Sequence, residues 1–362
     1  MNIRLTLASI AAIAVATATV DAAARPFVHH GVHRALRENG KVDIVVTMKT
    51  KPQETIKNLE STSFMTRGQK IEAIVSKLNA LAEDSQKGID AILAKEAASG
   101  QSLFEAQHRS WALNARLING ASLALIEQLA TLPGVESIRE QEVAEVTVPQ
   151  EIESTSTYQH EVNTIQWGVA RIEATKVWSD GITGQNVVIG TIDTGVRGTH
   201  ELLKHSMRES YNWYDPDNET DFPTDSRSHG THTMGTIVGA KGYGVAPGAK
   251  WMTCLGCPNS CPEFNLVKCA AGIIPVFSQG NSGPNCGSAG APGDFANVIG
   301  VGSMSENETM AFTSGRGPAV ATGIQKPDIS APGRLIISAS NVSDTDISTK
   351  SGTSMAAPHL IG

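Results

Sequence analysis

The 362-residue chain has no long basic run, and its formal net charge is −7. Both features argue against a nucleic-acid partner, because such binding needs clustered positive charge to meet the phosphates. Beyond the N-terminal segment the sequence also lacks an apolar run of the roughly 20 residues that a membrane-spanning helix needs. We therefore expect neither a nucleic-acid partner nor a membrane anchor.

Cysteine is also scarce, with five residues that all fall in one part of the chain: Cys254, Cys257, Cys261, Cys269 and Cys286. The spacing of the first three superficially suggests zinc, but no histidine stands at ligand spacing nearby. In an oxidising compartment these cysteines are expected to form disulfides, and the odd number leaves one thiol without a partner. We predict no metal and no cofactor.

The N-terminus is typical of a secretory signal peptide. A positive start, "MNIR", precedes the apolar run Leu5–Val20, and small residues precede Arg25. This run is short for a spanning helix, so cleavage near Ala24 is favoured over a membrane anchor. The sequence thus predicts an extracellular protein with a signal peptide at 1–24.

Secretion would also expose asparagines to glycosylation. Three N-x-[ST] tripeptides, at Asn218, Asn307 and Asn341, are possible glycan sites.

Residues 25–149 have the pattern of a small α+β domain. Short β-branched segments such as "KVDIVVTMK" indicate strands, and "AQHRSWALNARLI" and "VESIREQEVAEV" are interpreted in the same way. Apolar residues from Ile71 to Leu93 recur at helical spacing, and "ASLALIEQLATLPG" predicts a further helix that ends at Pro-Gly. The polar stretch "TVPQEIESTSTYQHEVNT" then predicts an exposed linker, where proteases cut.

Residues 150–362 have a different pattern, which predicts an α/β domain with a mostly parallel sheet flanked by helices. "NVVIGTID", "GIIPVFSQGN" and "NVIGVGSM" are continuous apolar runs, typical of parallel strands that are buried on both faces.

Candidate catalytic side chains lie in this second region. Asp193 stands at the end of a predicted strand, where active residues of parallel sheets gather, although a turn or helix cap is the alternative. His229, in "SHGTHTMGT", could act as a general base near neutral pH. His232, three residues later, is interpreted as a packing or hydrogen-bonding residue.

Two further segments supply an amide donor and a hydroxyl. Asn281, in "SQGNSGP", is either a turn residue or a donor for a developing oxyanion. Ser354, in "SGTSMAAPH", is either a helix cap or a nucleophile at a helix start, where backbone N–H groups stabilise negative charge.

Taken together, "DTG", "HGTHT", "GNSGP" and "GTSMAAP" resemble the signatures of the subtilisin-like serine peptidases, in the same chain order. The resemblance covers residues 167–362 and implies a triad of Asp193, His229 and Ser354, with Asn281 stabilising the oxyanion. It further implies a secreted endopeptidase that acts on protein or peptide substrates. The α+β domain resembles the family's inhibitor propeptide, which implies an intramolecular inhibitor.

The spacing departs from the family in one interval. His229 and Asn281 are about 50 residues apart, against about 90 in the family, whereas the other two intervals are similar. We therefore expect an internal deletion near Cys269 that removes a substrate-binding wall and sheet strands. The short stretch after Ser354 further suggests a truncated helix. Leu202 stands where the family places a calcium-binding Asp, so no calcium site is carried over.

These departures leave two alternatives to an active peptidase. The chain could be a catalytically impaired form, or its α+β domain could act as an inhibitor or folding module for a sister protease.

Overall fold

The computed structural model describes residues 26–100, 103–144, 164–269, 276–296 and 298–362. The chain divides into two compact units, Met1–Glu140 and Gln141–Gly362. The predicted signal peptide and nearly all of the predicted linker lie outside the described residues. Within the described ranges, no helix has both the length and the apolar character needed to cross a membrane.

The first unit contains a five-stranded sheet with the strand order β1-β5-β2-β4-β3. Its strands are β1 (Phe27–Val28), β2 (Val42–Met48), β3 (Ala106–Ser110), β4 (Ala115–Ala121) and β5 (Val135–Glu140). Its helices are α1 (His30–Asn39), α2 (Pro52–Glu60), α3 (Arg67–Ser85), α4 (Lys87–Ser99) and α5 (Leu123–Leu129). β1 pairs with β5 in parallel, and the other pairs are antiparallel.

This unit has its own apolar core, formed between one face of the sheet and helices α1, α4 and α5. Its fully buried members include Val32, Ile44, Val46, Ile89, Leu125, Leu129 and Ile138. The helix predicted from "ASLALIEQLATLPG" is α5, which begins where the Ser122 hydroxyl accepts a hydrogen bond from the N–H of Leu125. Segregated helices on an antiparallel-rich sheet give an α+β arrangement.

One predicted strand of this unit is wrong. The segment "AQHRSWALNARLI" forms two strands, β3 and β4, that pair as an antiparallel hairpin. The turn between them ends at Asn114, whose φ of 47° lies in the left-handed region. Asparagine tolerates this conformation better than most residues, which allows the chain to reverse.

The second unit has ten strands and five helices among its described residues. The strands are β6 (Val143–Ala144), β7 (Val188–Asp193), β8 (Trp213–Tyr214), β9 (Lys250–Leu255), β10 (Cys261–Pro262), β11 (Val276–Ser278), β12 (Ile299–Met304), β13 (Ile329–Pro332), β14 (Ile336–Ala339) and β15 (Ile347–Lys350). The helices are α6 (Trp167–Arg171), α7 (Ala174–Ser179), α8 (His229–Val238), α9 (Glu263–Cys269) and α10 (Thr353–Ile361).

Two three-stranded parallel sheets organise this unit. One has the order β7-β9-β8 and the other β11-β12-β13, and every pairing within them is parallel. β14 and β15 form a separate antiparallel hairpin, and β6 pairs antiparallel with β10. Parallel strands combined with helices give an α/β fold.

The expectation that β7 is buried on both faces is wrong. Val187 and Val188 are 50% and 46% exposed, and only Ile189 within this strand is buried. β7 pairs with β9 on one side, and among the described residues no strand pairs with its other side. β11 is likewise the edge strand of its own sheet. Among the described residues, this apolar run therefore forms an edge strand and not a central one.

Helix α8 lies at the centre of the second unit, and all ten of its residues are buried. It packs against β7, β9, β14 and α10. The apolar cluster around it includes Leu203, Met234, Ile237, Val238, Trp251 and Ala339. The two glycines of α8, Gly230 and Gly235, let the chain around Gly195 and Ala339 approach closely, since a Cβ at either position would clash with it.

Candidate active site

Asp193 and His229 form a hydrogen-bonded pair at the end of β7 and the start of α8. Nδ1 of His229 lies 2.7 Å from Oδ1 of Asp193, and both side chains are nearly buried. Asp193 accepts further hydrogen bonds from the N–H of Thr194 at 2.7 Å and from the hydroxyl of Thr233 at 3.1 Å. Burial by itself would raise the pKa of Asp193, but the contact with His229 and these hydrogen bonds outweigh it and lower the pKa.

The charge on Asp193 fixes the form of the histidine. An ionised carboxylate can only accept hydrogen bonds, so Nδ1 of His229 must carry the proton. In the neutral ring Nε2 then keeps its lone pair. Nε2 is buried and has no hydrogen-bond partner among the described residues, so it is available as a base.

Gly230 allows the start of α8 to lie close to the loop that follows Asp193. A Cβ at Gly230 would lie 1.9 Å from the carbonyl oxygen of Gly195, so no larger residue fits there without moving the backbone. The first turn of α8 therefore packs directly on the loop that follows Asp193.

Asn281 contacts the start of α10, the helix that contains Ser354. Ser354 is the second residue of this helix and is partly exposed. Oδ1 of Asn281 accepts hydrogen bonds from the N–H of Thr353 at 2.9 Å and from its hydroxyl at 3.1 Å. This contact turns the amide oxygen towards the helix and leaves Nδ2 as the donor group of the side chain.

The helix of His229, α8, packs against the helix of Ser354, α10. Nζ of Lys350, just before the Ser354 turn, donates to the carbonyl oxygen of Ser228, just before His229, at 2.7 Å. The structure thus brings Asp193 to His229 and Asn281 to the helix of Ser354. It does not place a hydrogen bond between His229 and Ser354, because Nε2 has no partner.

A comparison with protein-family models decides the family. The model of the subtilase family matches residues 184–265 and 256–361, which hold all four of these side chains.

Residues 184–361 belong to the subtilase family.

Curated subtilases and other serine proteases are similar over longer stretches. Bacillopeptidase F of Bacillus subtilis is 28% identical in an alignment 375 positions long that covers 84% of this chain and 26% of that protein. Subtilisin DY of Bacillus licheniformis is 28% identical in an alignment 246 positions long that covers 55% of this chain and 82% of that protein. The cuticle-degrading serine protease of Orbilia oligospora is 27% identical, over 68% of this chain and 63% of that protein. The chain thus spans about a quarter of the first of these relatives.

His232 has a structural position in this subtilase-like region, as the sequence favoured. Its Nε2–H lies 3.1 Å from the carbonyl oxygens of both Ile336 and Ser348, which ties α8 to the β14–β15 hairpin. Burial, and after it the charge of Lys350, lower the pKa of His232 to about 3. The ring therefore stays neutral at ordinary pH.

Two disulfides and one free thiol account for the five cysteines. Cys254 pairs with Cys269, which joins β9 to α9, and Cys257 pairs with Cys261. Cys286 is free and exposed. The expected disulfides and the odd thiol are therefore found. Within the described ranges no group of three or more His, Cys, Asp or Glu residues could hold a metal ion.

The three candidate glycosylation sites differ in their surroundings. Asn218 and Asn307 are exposed, whereas Asn341 is half-buried. Nδ2 of Asn341, the atom that would carry a sugar, donates to the backbone oxygen of Asp225 at 2.7 Å. The geometry therefore favours Asn218 and Asn307 as acceptors.

Sequence reasoning missed four residues that support the site: Thr233, Asp225, Lys350 and Thr353. Thr233 and Thr353 lie inside the quoted motifs and contact Asp193 and Asn281 directly. Asp225 stands four residues before His229, and a carboxylate just ahead of a helix start is a recognisable cap signal. Lys350 gave no signal, because its partner Ser228 is 122 residues away.

Proposed function

We propose that this protein is a secreted serine endopeptidase that hydrolyses peptide bonds through Asp193, His229 and Ser354. The observation that carries the proposal is the 2.7 Å contact between Asp193 and Nδ1 of His229, which leaves Nε2 without a partner on a helix that packs against the helix of Ser354. The subtilase match over residues 184–361 supports the same chemistry.

The proposed mechanism begins with proton transfer. Nε2 of His229 takes the proton of the Ser354 hydroxyl as its oxygen attacks the carbonyl carbon of the substrate. Asp193 holds the ring in the required tautomer and stabilises the imidazolium that forms. His229 then gives the proton to the leaving amine, which leaves an acyl-enzyme on Ser354. Water hydrolyses this ester by the same proton path in reverse.

Negative charge develops on the substrate carbonyl oxygen during attack. Nδ2 of Asn281 and the backbone N–H of Ser354 are the proposed donors for it. Ser354 lies in the first turn of α10, where the helix N-terminus favours negative charge. Preorganised donors of this kind supply a large part of catalysis in acyl transfer.

We also propose the domain organisation: a signal peptide at 1–24, an inhibitor-like propeptide at 25–149, and a subtilisin-like peptidase domain at 150–362. The first unit has its own sheet and core, as an independently folding propeptide requires. Further support comes from the end of the proposed propeptide, where β6 pairs with β10 as an antiparallel strand. Beside this pair, the N–H of Glu263 donates to the backbone oxygen of Glu142 at 2.9 Å. Strand addition is a common way for a peptide segment to be bound. Residues 141–144 would thus be bound as the propeptide ends.

An internal deletion is part of this proposal. The family model matches in two segments that meet at residues 256–265, close to the position inferred from the spacing. The two three-stranded parallel sheets are proposed as the parts of one mostly parallel sheet. β7 and β11 lie at their edges, where an intervening strand would pair.

The same observation favours a second candidate function, a catalytically impaired form. Edge strands with exposed apolar residues leave the support of Asp193 less complete than a central strand would. A fluorophosphonate probe, which reacts only with an activated serine hydroxyl, separates the two candidates. The active form is expected to be labelled at Ser354, and the impaired form is expected to show no labelling above the Ser354→Ala variant.

A further inference from the structure

The residue before His229 has an unusual backbone conformation. Ser228 has a φ of 60° and a ψ of 6°, in the left-handed region that favours glycine. A residue with a Cβ persists there only when its surroundings hold it. Because Ser228 is the N-cap of α8, its dihedral angles set the direction in which the helix, and with it the His229 side chain, leaves the preceding loop.

A carboxylate holds the N–H side of this residue. Oδ1 of Asp225 accepts from the N–H of Ser228 at 3.0 Å and from the N–H of Arg227 at 2.9 Å. Its Oδ2 accepts from the N–H and the hydroxyl of Thr231, at 2.9 and 2.6 Å. Asp225 thus binds N–H groups on both sides of His229.

Asp225 is also connected to the loop that follows Asp193. The hydroxyl of Thr194 donates to Oδ1 of Asp225 at 2.9 Å and accepts from the N–H of Gly230 at 3.0 Å. Thr194 directly follows Asp193. One carboxylate therefore joins the segment of Asp193 to the segment of His229.

The ammonium group of Lys350 holds the carbonyl side of Ser228. Nζ of Lys350 donates to the carbonyl oxygen of Ser228 at 2.7 Å. The Lys350 side chain is completely buried, and burying an ammonium group is costly unless it has partners. A buried cation that contacts this particular carbonyl is not needed to fill the core, since an apolar side chain would do so at lower cost.

We propose that Asp225 and Lys350 act as positioning residues that together form a charged clamp on Ser228. The clamp holds Ser228 in the left-handed conformation, with the carboxylate on its N–H and the ammonium on its C=O, and so aims His229 at Ser354. The inference rests on the proposed function for its kinetic consequence. Its structural claim concerns only the residues around His229.

The test uses Lys350→Met in the full chain, alone and combined with Ser228→Gly. Loss of the ammonium group is expected to lower kcat at least tenfold with KM changed less than twofold, because a 1 Å misplacement of a catalytic group can cost about a hundredfold. Glycine adopts the left-handed conformation without strain. The double variant is therefore expected to recover most of the lost kcat, although it gains no contact.

Lys326→Met is the matched control. Lys326 is also a buried lysine whose Nζ donates to a backbone oxygen, that of Val298 at 3.0 Å, and to Asp328. This variant is expected to lower Tm without lowering kcat. Equal kcat losses in the two lysine variants, or no recovery in the double variant, would overturn the clamp.

A spectroscopic measurement separates this inference from the proposed function. The proton on Nδ1 of His229, which is hydrogen-bonded to Asp193, gives a downfield proton NMR signal that does not depend on turnover. The signal is expected to weaken or shift in Lys350→Met and to return in the double variant, even if the parent protein hydrolyses nothing. An inactive parent with this pattern would refute the proposed function and keep the clamp. An unchanged signal in Lys350→Met would refute the clamp whatever the activity.

Discussion

Replacement of Asn281 by alanine separates two roles that the structure gives this side chain. Oδ1 accepts two hydrogen bonds from Thr353, and Nδ2 is the proposed donor to the oxyanion. Loss of the oxyanion donor is expected to lower kcat about 100- to 1000-fold, which corresponds to about 2.7–4 kcal/mol of transition-state stabilisation. Loss of the acceptor is expected to lower stability by about 1 kcal/mol for each hydrogen bond to Thr353.

Thr353→Val is the control for the second role. It removes the 3.1 Å hydroxyl contact with Asn281 and leaves Nδ2 in place. Its kcat is expected to fall less than about tenfold if Asn281 acts mainly as a donor. The assay is the hydrolysis of a chromogenic peptide, with urea denaturation to measure the free energy of unfolding. Losses in kcat that are small and equal in the two variants would refute the donor role and leave Asn281 as a support for α10.

Three further results are expected. In Thr233→Val, which removes a hydroxyl that donates to Asp193, the lowered pKa of Asp193 is expected to rise towards its ordinary value, and stability at pH 7 is expected to fall by about 2 kcal/mol. Because the folded pKa lies below the unfolded one, this loss is constant above the ordinary aspartate pKa of about 3.9 and shrinks only as the pH falls below it and through the lowered pKa of folded Asp193. Urea denaturation at pH 7 and at stepwise lower pH checks this, and a loss that stays constant with pH, like that expected for the buried control Thr236→Val, would count against it. Mass spectrometry of material secreted from a glycosylating host is expected to find glycans on Asn218 and Asn307 and none on Asn341, and a glycan on Asn341 would show that its hydrogen bond to Asp225 opens. N-terminal sequencing of secreted protein is expected to place the mature start between Val146 and Trp167, and a start before Lys41 would contradict the propeptide assignment.

The sequence predicted those features that depend on neighbours along the chain. The helix α5 and the strand β2 follow from local patterns, and the structure confirms both. Asp193 and His229 are 36 residues apart, yet their motifs place them at a strand end and a helix start that meet. Local chemistry was enough in these cases, because each element carries its own signal.

Other features depend on contacts that no local pattern encodes. The apolar run of β7 predicted a central strand, but burial depends on a neighbouring strand, and Val187 and Val188 remain exposed at the edge. The break in "AQHRSWALNARLI" depends on a single left-handed residue, Asn114. Lys350 would be expected on the surface from its type alone, and only its distant partner Ser228 explains its burial.

The central claim is that His229 activates Ser354 as a nucleophile. The most direct measurement is the rate at which a fluorophosphonate probe labels the protein, with peptide mass spectrometry to locate the adduct. We expect a single adduct on Ser354 in the parent protein, no adduct in Ser354→Ala, and a rate in His229→Ala that is lower by about a thousandfold or more, since base and nucleophile act as a unit. His232→Asn, which changes the neighbouring structural histidine, serves as the control for a general loss of folding and is compared at equal folded fraction. Labelling of Ser354 at the same rate in the parent and in His229→Ala would contradict the account.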